Sequence, residues 1–483
     1  MAVPGAFEQM IMELTNAFRL DPRGEFDRLI ADAASRSATD PAVSSALRYF
    51  QVDMDALRAA LDALSPVAPL AWSESLADAA LAHSELMRDE NQQSHRVSRD
   101  GAWLEPDLGG RAQAVGYDYL RLGENVFAYV DSPEHGHAAM VIDWGVGPGG
   151  MQDPAGHRHN LLGGAFMEMG VGVTQGAAGA GQVGPYVLTQ NLGVSFGSTP
   201  MILGVIHDDA DGDGAYDMGE GRGGVQVAVS GAQTLSWEAG GYQIAAQGPV
   251  ELSFSGGGLA APVRVALEVA SANVKVDLAD DGALRASVSV AALENVRAIA
   301  LLGTDDIDAE GMAGAQSLTG NAGANRLTGR GGADALDGGA GRDKLFGGGG
   351  EDALWGRNGA DRLQGGAGAD ALRGGAGRDL LLGGGGADLL VGGGGADTLR
   401  GGPGQDRLRG GAGADRFVFA PGDGRDLVLD FGPGDAFDLS QAGISPADLS
   451  IRDAGADAVF AFADVEVTVA GAAGLLSADD FLF

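Results

Sequence analysis

Aspartate recurs at every ninth residue between positions 320 and 418, a stretch that divides without a gap into eleven units of the form G-G-x-G-x-D-x-L-x. Ten of the eleven units keep the aspartate, and the first unit has Asn325 in its place. The ten are Asp334, Asp343, Asp352, Asp361, Asp370, Asp379, Asp388, Asp397, Asp406 and Asp415. Glycine permits the positive φ of a tight turn, and the apolar residue two places after each aspartate can point into a core. Carboxylates in this pattern can bind a hard divalent cation.

The spacing of these units predicts how the carboxylates lie relative to one another. Strands on successive turns of a coil lie about 4.8 Å apart, so equivalent aspartates would stack in rows and repel one another unless a cation lay between them. Calcium accepts about six to eight oxygen ligands, including backbone carbonyls of glycine turns. We therefore predict a parallel β-roll that folds with calcium. A flexible linker would explain the glycine content but not the leucines, which keep one phase throughout.

A second acidic segment, residues 209–220, lies between two apolar, strand-like runs at 202–206 and 224–229. Its acidic residues match positions 1, 3, 5, 9 and 12 of a twelve-residue calcium loop, with Gly214 at the sharp turn. They are Asp209, Asp211, Asp213, Asp217 and Glu220. Because the flanks are strands, we predict a calcium loop in a β-sandwich, similar to the B-type repeats of bacterial surface adhesins. The alternative is a solvated acidic hairpin without metal.

The first 195 or so residues have ordinary globular composition and alternate helical with strand-like patterns. Helical periodicity covers 7–18, 75–87 and 137–144, while 169–173 and 186–190 predict a hairpin across a glycine-rich turn. Farther along, alternation at 274–278 and 286–290 predicts two short strands.

An ordered set of motifs in this N-terminal segment resembles bacterial domains of the CAP superfamily, which contains cysteine-rich secretory proteins, antigen 5 and plant pathogenesis-related proteins. The set comprises residues 12–22, 69–72, 76, 83–84, 87, 94–95, 116–117, 123–125, 144, 156–162 and 170–172. The resemblance implies an α-β-α sandwich with a surface cleft that sometimes holds zinc or another divalent ion. It places His95, Glu124 and His157 in that cleft. The second acid of the family is missing, since Gly147 occupies its place and only Asp143 or Asp153 lies near.

The nonapeptide array closely resembles the repeats-in-toxin (RTX) calcium β-roll, with residues 426–439 similar to the region that caps it. Such proteins are commonly exported unfolded by type I secretion machinery that recognises an uncleaved C-terminal signal, and residues 478–483 are similar to that signal. We therefore expect a secreted, extracellular protein. No N-terminal signal peptide or membrane-spanning segment is expected, because no suitable apolar stretch is present.

The resemblances leave the activity of the N-terminal domain open. A non-catalytic binding or surface-interaction protein with an unassigned extracellular ligand is the first hypothesis. A metal-assisted, protease-like hydrolase acting through His95, Glu124 and His157 is the second, and lipid binding is a third. No serine or cysteine nucleophile occurs in a recognisable signature, and the chain has no cysteine.

The charge balance favours cations as partners. The chain has 66 acidic and 31 basic residues, a formal net charge of -35, which argues against nucleic acid or an anionic membrane. The expected architecture is multidomain α/β plus all-β: an N-terminal α-β-α sandwich (1–197), a middle β-sandwich with the calcium loop (198–262), a strand-rich connector (263–318), the parallel β-roll (319–418), and a cap with the secretion signal (419–483).

Overall fold

The computed structural model of the protein describes residues 3–177, 179 and 181–483. A mixed α/β N-terminal region is followed by a C-terminal parallel β-solenoid of about nine turns, which confirms the predicted fold class. Two compact units are present: residues up to 262 together with 268–280, and residues 263–267 together with 281–483.

Helices surround the N-terminal sheet. Several begin at acidic or hydroxyl caps: Asp40, Asp53, Ser73, Asp107 and Ser132 each accept hydrogen bonds from backbone N–H groups of the first turn. The helices are α1 (Ala6–Leu20), α2 (Glu25–Leu29), α3 (Pro41–Tyr49), α4 (Met54–Asp62), α5 (Glu74–Asp89), α6 (Leu108–Ala114), α7 (Pro133–Ile142) and α8 (Gly156–Leu161). Helix α7 begins before the predicted residue 137, because Ser132 caps it and Pro133 suits the first turn.

The N-terminal sheet has the strand order β3-β7-β8-β6. Its strands, with four short ones outside it, are β1 (Ile30–Asp32), β2 (Ser37–Ala38), β3 (Ala71–Trp72), β4 (Ser98–Arg99), β5 (Ala102–Trp103), β6 (Tyr119–Val130), β7 (Glu168–Gln175) and β8 (Tyr186–Ser195). The predicted hairpin is β7 and β8, which pair antiparallel. On one face Gly170 and Gly172 let α5 lie against the sheet, since a Cβ at either residue would collide with the α5 backbone. On the other face Met169 and Val171 join the core formed with α1 and α7.

The middle strands are β9 (Met201–His207), β10 (Val225–Val229), β11 (Ala232–Leu235), β12 (Gly241–Ala245), β13 (Gly248–Gly256), β14 (Val263–Val269) and β15 (Val274–Ala279). β9 pairs with β12 and β15, and β10 pairs with β11 and β13. The runs predicted at 202–206, 224–229 and 274–278 are therefore strands. Within the first unit, the Gln243 amide exchanges hydrogen bonds with the Trp72 backbone (2.9 and 3.0 Å), and Lys275 Nζ lies 2.6 Å from Glu13 Oε2.

The strand predicted at 286–290 is not formed, so that prediction was wrong. Strand β16 (Ala283–Ala286) ends where the run begins, and β17 (Val290–Glu294) starts where it ends. β16 and β17 belong to different sheets, so the alternating serines and valines between them form a corner where the chain changes sheet.

Two parallel sheets build the roll, because strands eighteen residues apart pair in register. Beyond β17 the strands are β18 (Ala298–Leu301), β19 (Ala309–Glu310), β20 (Ser317–Thr319), β21 (Arg326–Gly331), β22 (Ala335–Asp337), β23 (Lys344–Gly349), β24 (Ala353–Asn358), β25 (Arg362–Ala367), β26 (Ala371–Ala376), β27 (Leu380–Gly385), β28 (Leu389–Gly394), β29 (Thr398–Arg400), β30 (Arg407–Ala412) and β31 (Arg416–Val418). The leucines of the repeats form the interior, and Leu327 and Leu408, like those between them, are 0% exposed.

Residues after the array close the end of the roll. The closing strands are β32 (Arg425–Val428), β33 (Ala436–Asp438), β34 (Ser450–Ala454), β35 (Asp457–Phe462), β36 (Val465–Val469) and β37 (Phe481–Leu482). Aromatic rings replace the leucines of the interior here: the Phe437 centroid lies 4.7 Å from that of Phe460 and 5.2 Å from that of Phe481. Residues 426–439 therefore take part in the closure, as their similarity to a capping region implied.

Candidate functional site

The repeat aspartates form two rows inside the roll, one along each edge. In each row, a carboxylate Oδ1 accepts a hydrogen bond from the backbone N–H of the residue eighteen positions earlier, as Asp361 does from Asp343 at 2.8 Å and Asp370 from Asp352 at 2.9 Å. One turn of the roll comprises two units, so successive members of a row are separated by eighteen residues. The predicted stacking of the aspartates is thus present in the fold.

The second carboxylate oxygen of each repeat aspartate is buried and has no hydrogen-bond partner. The oxygens are Oδ2 of Asp334, Asp343, Asp352, Asp361, Asp370, Asp379, Asp388, Asp397, Asp406 and Asp415. These residues are only 1–2% exposed. A buried carboxylate oxygen without a donor is costly, so a row of such oxygens points to a bound cation.

Glycine at the first position of each unit makes room for this oxygen. At Gly365, for example, an added Cβ would collide with Oδ2 of Asp370 and lie 2.7 Å from the carbonyl oxygen of Gly383. The same arrangement recurs at Gly374, Gly383 and Gly392. Carboxylate and carbonyl oxygens therefore converge beside the glycine, and this donor set suits calcium.

Burial raises the pKa of these aspartates. The pKa of Asp343 and Asp406 rises to about 7, and that of Asp370 and Asp397 to about 6. Backbone N–H donors oppose the shift, and neighbouring aspartates of the same row reinforce it. Without a cation, the interior of the roll therefore favours protonated carboxyl groups.

Two further aspartates continue the rows beyond the array. Asp426 Oδ1 accepts from the Asp406 N–H at 3.0 Å, and Asp435 Oδ1 accepts from the Asp415 N–H at 2.9 Å. Asp426 resembles the repeat aspartates, since its Oδ2 is buried and unpartnered and burial raises its pKa to about 7. Sequence analysis missed it as a ligand because the step along the row lengthens from eighteen to twenty residues.

The acidic loop between β9 and β10 brings three of its five predicted ligands together. Oxygens of Asp209, Asp211 and Asp213 lie within 4.8 Å of one another. Glu220 instead accepts from the N–H groups of Ala210 (3.0 Å) and Asp217 (3.1 Å), which closes the loop. Burial and the charges of Asp213 and Glu220 raise the pKa of Asp217. Tyr216 anchors the loop, because its ring packs in a cluster with Met10 and Val205.

In the cleft of the N-terminal domain, His95 and Glu124 belong to a charged network. His95 is 62% exposed at its side chain, and its Nδ1 lies 3.0 Å from Oε1 of Glu124, whose side chain is only 3% exposed. The other Glu124 oxygen pairs with Arg111, and Arg111 also lies 3.3 Å from Glu105. Sequence analysis missed Arg111, which comes from α6 and has no motif of its own.

His157 pairs with a different acid from a different element. Its Nδ1 lies 2.8 Å from Oδ1 of Asp143, and its backbone N–H donates to Oδ2 of the same residue at 3.0 Å. Asp143 is fully buried and ends α7 in the left-handed conformation, with φ 56°. Among the described residues, Asp143 is thus the acid that pairs with His157, and no hydrogen bond or ion pair joins Asp153 to His95, Glu124 or His157.

Family models match both parts of the chain. The model described as cysteine-rich secretory protein family, or CAP, matches residues 12–192. The model described as RTX calcium-binding nonapeptide repeat (4 copies) matches 310–345, 346–381, 355–390, 382–417 and 391–426. The protein joins a CAP domain to RTX calcium-binding repeats.

Known proteins resemble the chain over limited stretches. The uncharacterized membrane protein YlbC of Bacillus subtilis (strain 168) is 32% identical over 108 residues, which are 22% of this chain and 26% of that protein. The chain therefore matches about a quarter of the length of this relative. In the part of the chain that the structure describes, no helix is long and apolar enough to cross a membrane.

Two solved structures match parts of the chain. The extracellular lipase LipA from Serratia marcescens is 19% identical with a TM-score of 0.21. The match covers 40% of this chain and 45% of the lipase chain. An extracellular protein with an SCP domain from Bacillus anthracis str. Ames is 24% identical with a TM-score of 0.20, and covers 32% and 44%. At these scores, neither resemblance bears on the activity of this chain.

The RTX repeats and the CAP cleft differ in how well they fit a metal. The RTX aspartates offer unpartnered oxygens, as calcium requires. In the CAP cleft, Glu124 pairs with Arg111, and Asp143 holds Nδ1 of His157, which leaves Nε2 of that ring as the nitrogen that a metal could take. Both carboxylate oxygens of Glu124 are thus paired, one with His95 and one with Arg111, unlike the Oδ2 atoms of the roll aspartates.

Proposed function

We propose that this protein is a non-catalytic, calcium-dependent binding protein that works outside the cell, with its CAP domain as the binding domain. The observation that carries the calcium part is the set of buried, unpartnered Oδ2 atoms along both rows of the roll. In this proposal, the ten repeat aspartates bind calcium, with Asp426 continuing one row. The loop acids Asp209, Asp211, Asp213, Asp217 and Glu220 bind a further ion.

The proposal includes secretion, because folding that depends on calcium suits a protein that leaves the cell. Both matched families are typical of secreted proteins. Extracellular calcium modules bind at about 10⁻⁴–10⁻³ M, so a roll of this affinity would stay open at cytosolic calcium and fold after export. We include export by type I secretion machinery in the proposal because that route requires an unfolded chain.

Calcium titration of the full chain tests the proposal. Far-UV circular dichroism should show a cooperative gain of β-structure with calcium but not with magnesium, which demands a smaller, octahedral site. An Asp361→Asn, Asp370→Asn variant should need more calcium, whereas Glu351→Gln, which removes an exposed carboxylate of the same array, should not. A chain that is equally folded without calcium would refute the proposal.

A hydrolase is the second candidate, and the His157–Asp143 pair is the observation that favours it. A buried carboxylate on Nδ1 orients the ring and leaves Nε2 free to act as a general base. The test compares zinc binding and peptidase activity of the full chain with those of a His95→Ala, His157→Ala variant. Measurable activity that the variant loses would favour the enzyme, and activity that is absent or unchanged would exclude it.

A further inference from the structure

One outer face of the roll is basic although the chain as a whole is strongly acidic. This face consists of β21, β23, β25, β27, β29 and β31, and its side chains project outward from the fifth, seventh and ninth positions of each unit. Those positions hold seven basic residues and no acidic residue: Arg326, Arg342, Lys344, Arg362, Arg378, Arg400 and Arg416. The opposite sheet is mixed, with Arg373, Arg407 and Arg409 beside Asp337 and Glu351.

The basic side chains on this face are regularly spaced. Arg326, Lys344 and Arg362 occupy equivalent positions on three neighbouring strands, about 4.8 Å apart. Arg342 and Arg378 stand two strands apart with the small Ala360 between them. Together they border a groove of about 490 Å³ that also includes Leu380 and Thr398. The small Ala360 and Thr398 leave the groove open between these basic side chains.

Five of these cations have no ion-pair partner among the described residues, and one of the five, Arg326, lies over the Phe346 ring. Arg400 and Arg416 pair with Asp423 (3.2 Å) and Asp438 (3.1 Å), but no acidic oxygen lies within 4 Å of the Arg342, Lys344, Arg362 or Arg378 side-chain nitrogens. The acids that border the groove are Asp343, Asp361 and Asp379. They are buried and belong to one of the two rows, so calcium would neutralise them. The groove is then positive when the roll holds calcium.

We propose that this groove binds an acidic polysaccharide, with successive carboxylates lying along successive strands. This site rests on the proposed calcium binding, which makes the groove positive. A regular row of cations suits a polymer with a regular row of anions, and an extended sugar chain needs only the width of the groove. A membrane or a second copy of the chain would have to bring a large surface towards a protein of net charge -35.

The experiment uses the full chain in calcium, with short oligogalacturonates as the probe. Calorimetry measures binding to three proteins. The first is the unmodified chain, and the second is a triple variant of the groove that combines Lys344→Gln, Arg362→Gln and Arg378→Gln. The third is a matched triple variant of the opposite sheet that combines Arg373→Gln, Arg407→Gln and Arg409→Gln. Both variants lose three charges from the roll, but only the first loses them from the groove. Circular dichroism in calcium confirms that each variant folds.

We expect the groove variant to bind roughly tenfold more weakly and the control less than about twofold, since each exposed charge pair contributes only a small part of the affinity. Added salt should weaken binding, and methyl-esterified oligogalacturonate should not bind. Equal losses in both variants, or no binding to a folded, calcium-loaded chain, would overturn the inference and leave the proposed function intact. Binding only to anionic phosphatidylglycerol vesicles, or only self-association in sedimentation, would overturn it as well.

Discussion

The aspartates of the roll and the acids of the loop at 209–220 were both predicted as calcium ligands, yet they lie in opposite surroundings. The roll aspartates are 1–2% exposed and each keeps an unpartnered oxygen. The loop acids are mostly exposed, and Asp209, Asp213 and Glu220 accept backbone N–H groups of the loop itself. Water and the backbone can therefore satisfy the loop without an ion, but they cannot satisfy the roll.

This difference implies two different roles for calcium in the roll and in the loop. In the roll, ion binding and folding are the same event, because the unoccupied interior would contain rows of buried carboxylates. In the loop, an ion adds to a segment that Tyr216 and the hydrogen bonds of Glu220 already hold. Calcium should consequently determine whether the roll exists and only modify the loop.

The largest expected effect comes from removing ligands in the middle of both rows. Asp379→Asn together with Asp388→Asn should raise the calcium concentration at half-folding by roughly tenfold, because affinity follows the number of charged ligands. Circular dichroism during calcium titration measures the shift. The matched loop variant, Asp211→Asn with Asp213→Asn, should leave that midpoint in place, and an equal shift in the two variants would contradict the comparison.

The next largest effect on calcium-dependent folding is expected from substituting one of two glycines in a single unit. Gly383→Ala should weaken calcium-dependent folding, because a Cβ there collides with Oδ2 of Asp388 and lies 2.6 Å from the Gly401 carbonyl oxygen. Gly385→Ala should be nearly neutral, because no atom lies within 4 Å of its Cβ. The melting temperature in calcium distinguishes them, and similar values for the two variants would mean that the oxygen cradle is unimportant.

The stability of the calcium-free roll should depend on pH, and this effect should be smaller than those of the aspartate and glycine substitutions. Folded aspartates with a pKa of about 6–7 bind protons more tightly than unfolded aspartates, whose pKa is about 3.9. Protonation therefore stabilises the metal-free roll at low pH, and that stability should be lost as the pH rises from about 4 to about 7. Chemical denaturation in chelator at several pH values measures this loss. Saturating calcium should reverse the trend, and a roll that gains stability with pH in chelator would be inconsistent with buried carboxyl groups.

The smallest effect belongs to the loop. Glu220→Gln keeps a hydrogen-bond acceptor but removes a ligand charge, so it should reduce calcium-induced protection of residues 209–220 while the overall melting temperature changes by only a degree or two. Hydrogen exchange of the loop peptides reports this directly. Unfolding of the whole first unit in this variant would show that the loop depends on metal as much as the roll does.

Local repetition explains why so much of the roll could be predicted. Each unit carries its own turn glycine, its aspartate and its core leucine, and the constant phase determines the pairing register. Asp426 escaped prediction because it follows an irregular step of twenty residues. The strand predicted at 286–290 was wrong because alternation cannot distinguish a strand from a corner between two sheets.

The cleft of the CAP domain was harder to predict for a different physical reason. Family resemblance named His95, Glu124 and His157, but the partners that define their chemistry are distant in sequence. Arg111 reaches Glu124 from α6, and Asp143 reaches His157 only because it ends α7 in a left-handed conformation. Arg111 belongs to no motif, and the sequence offered Asp143 only beside Asp153, so the folded arrangement is needed to show both pairings.

Hydrogen exchange of the full chain with and without calcium at pH 7.5, resolved by segment, tests the central claim most directly. Chelation should remove protection from residues 320–439, while β6, β7 and β8 of the CAP domain should stay protected. Protection of the roll that persists in chelator, or loss of protection throughout both units together, would contradict the account.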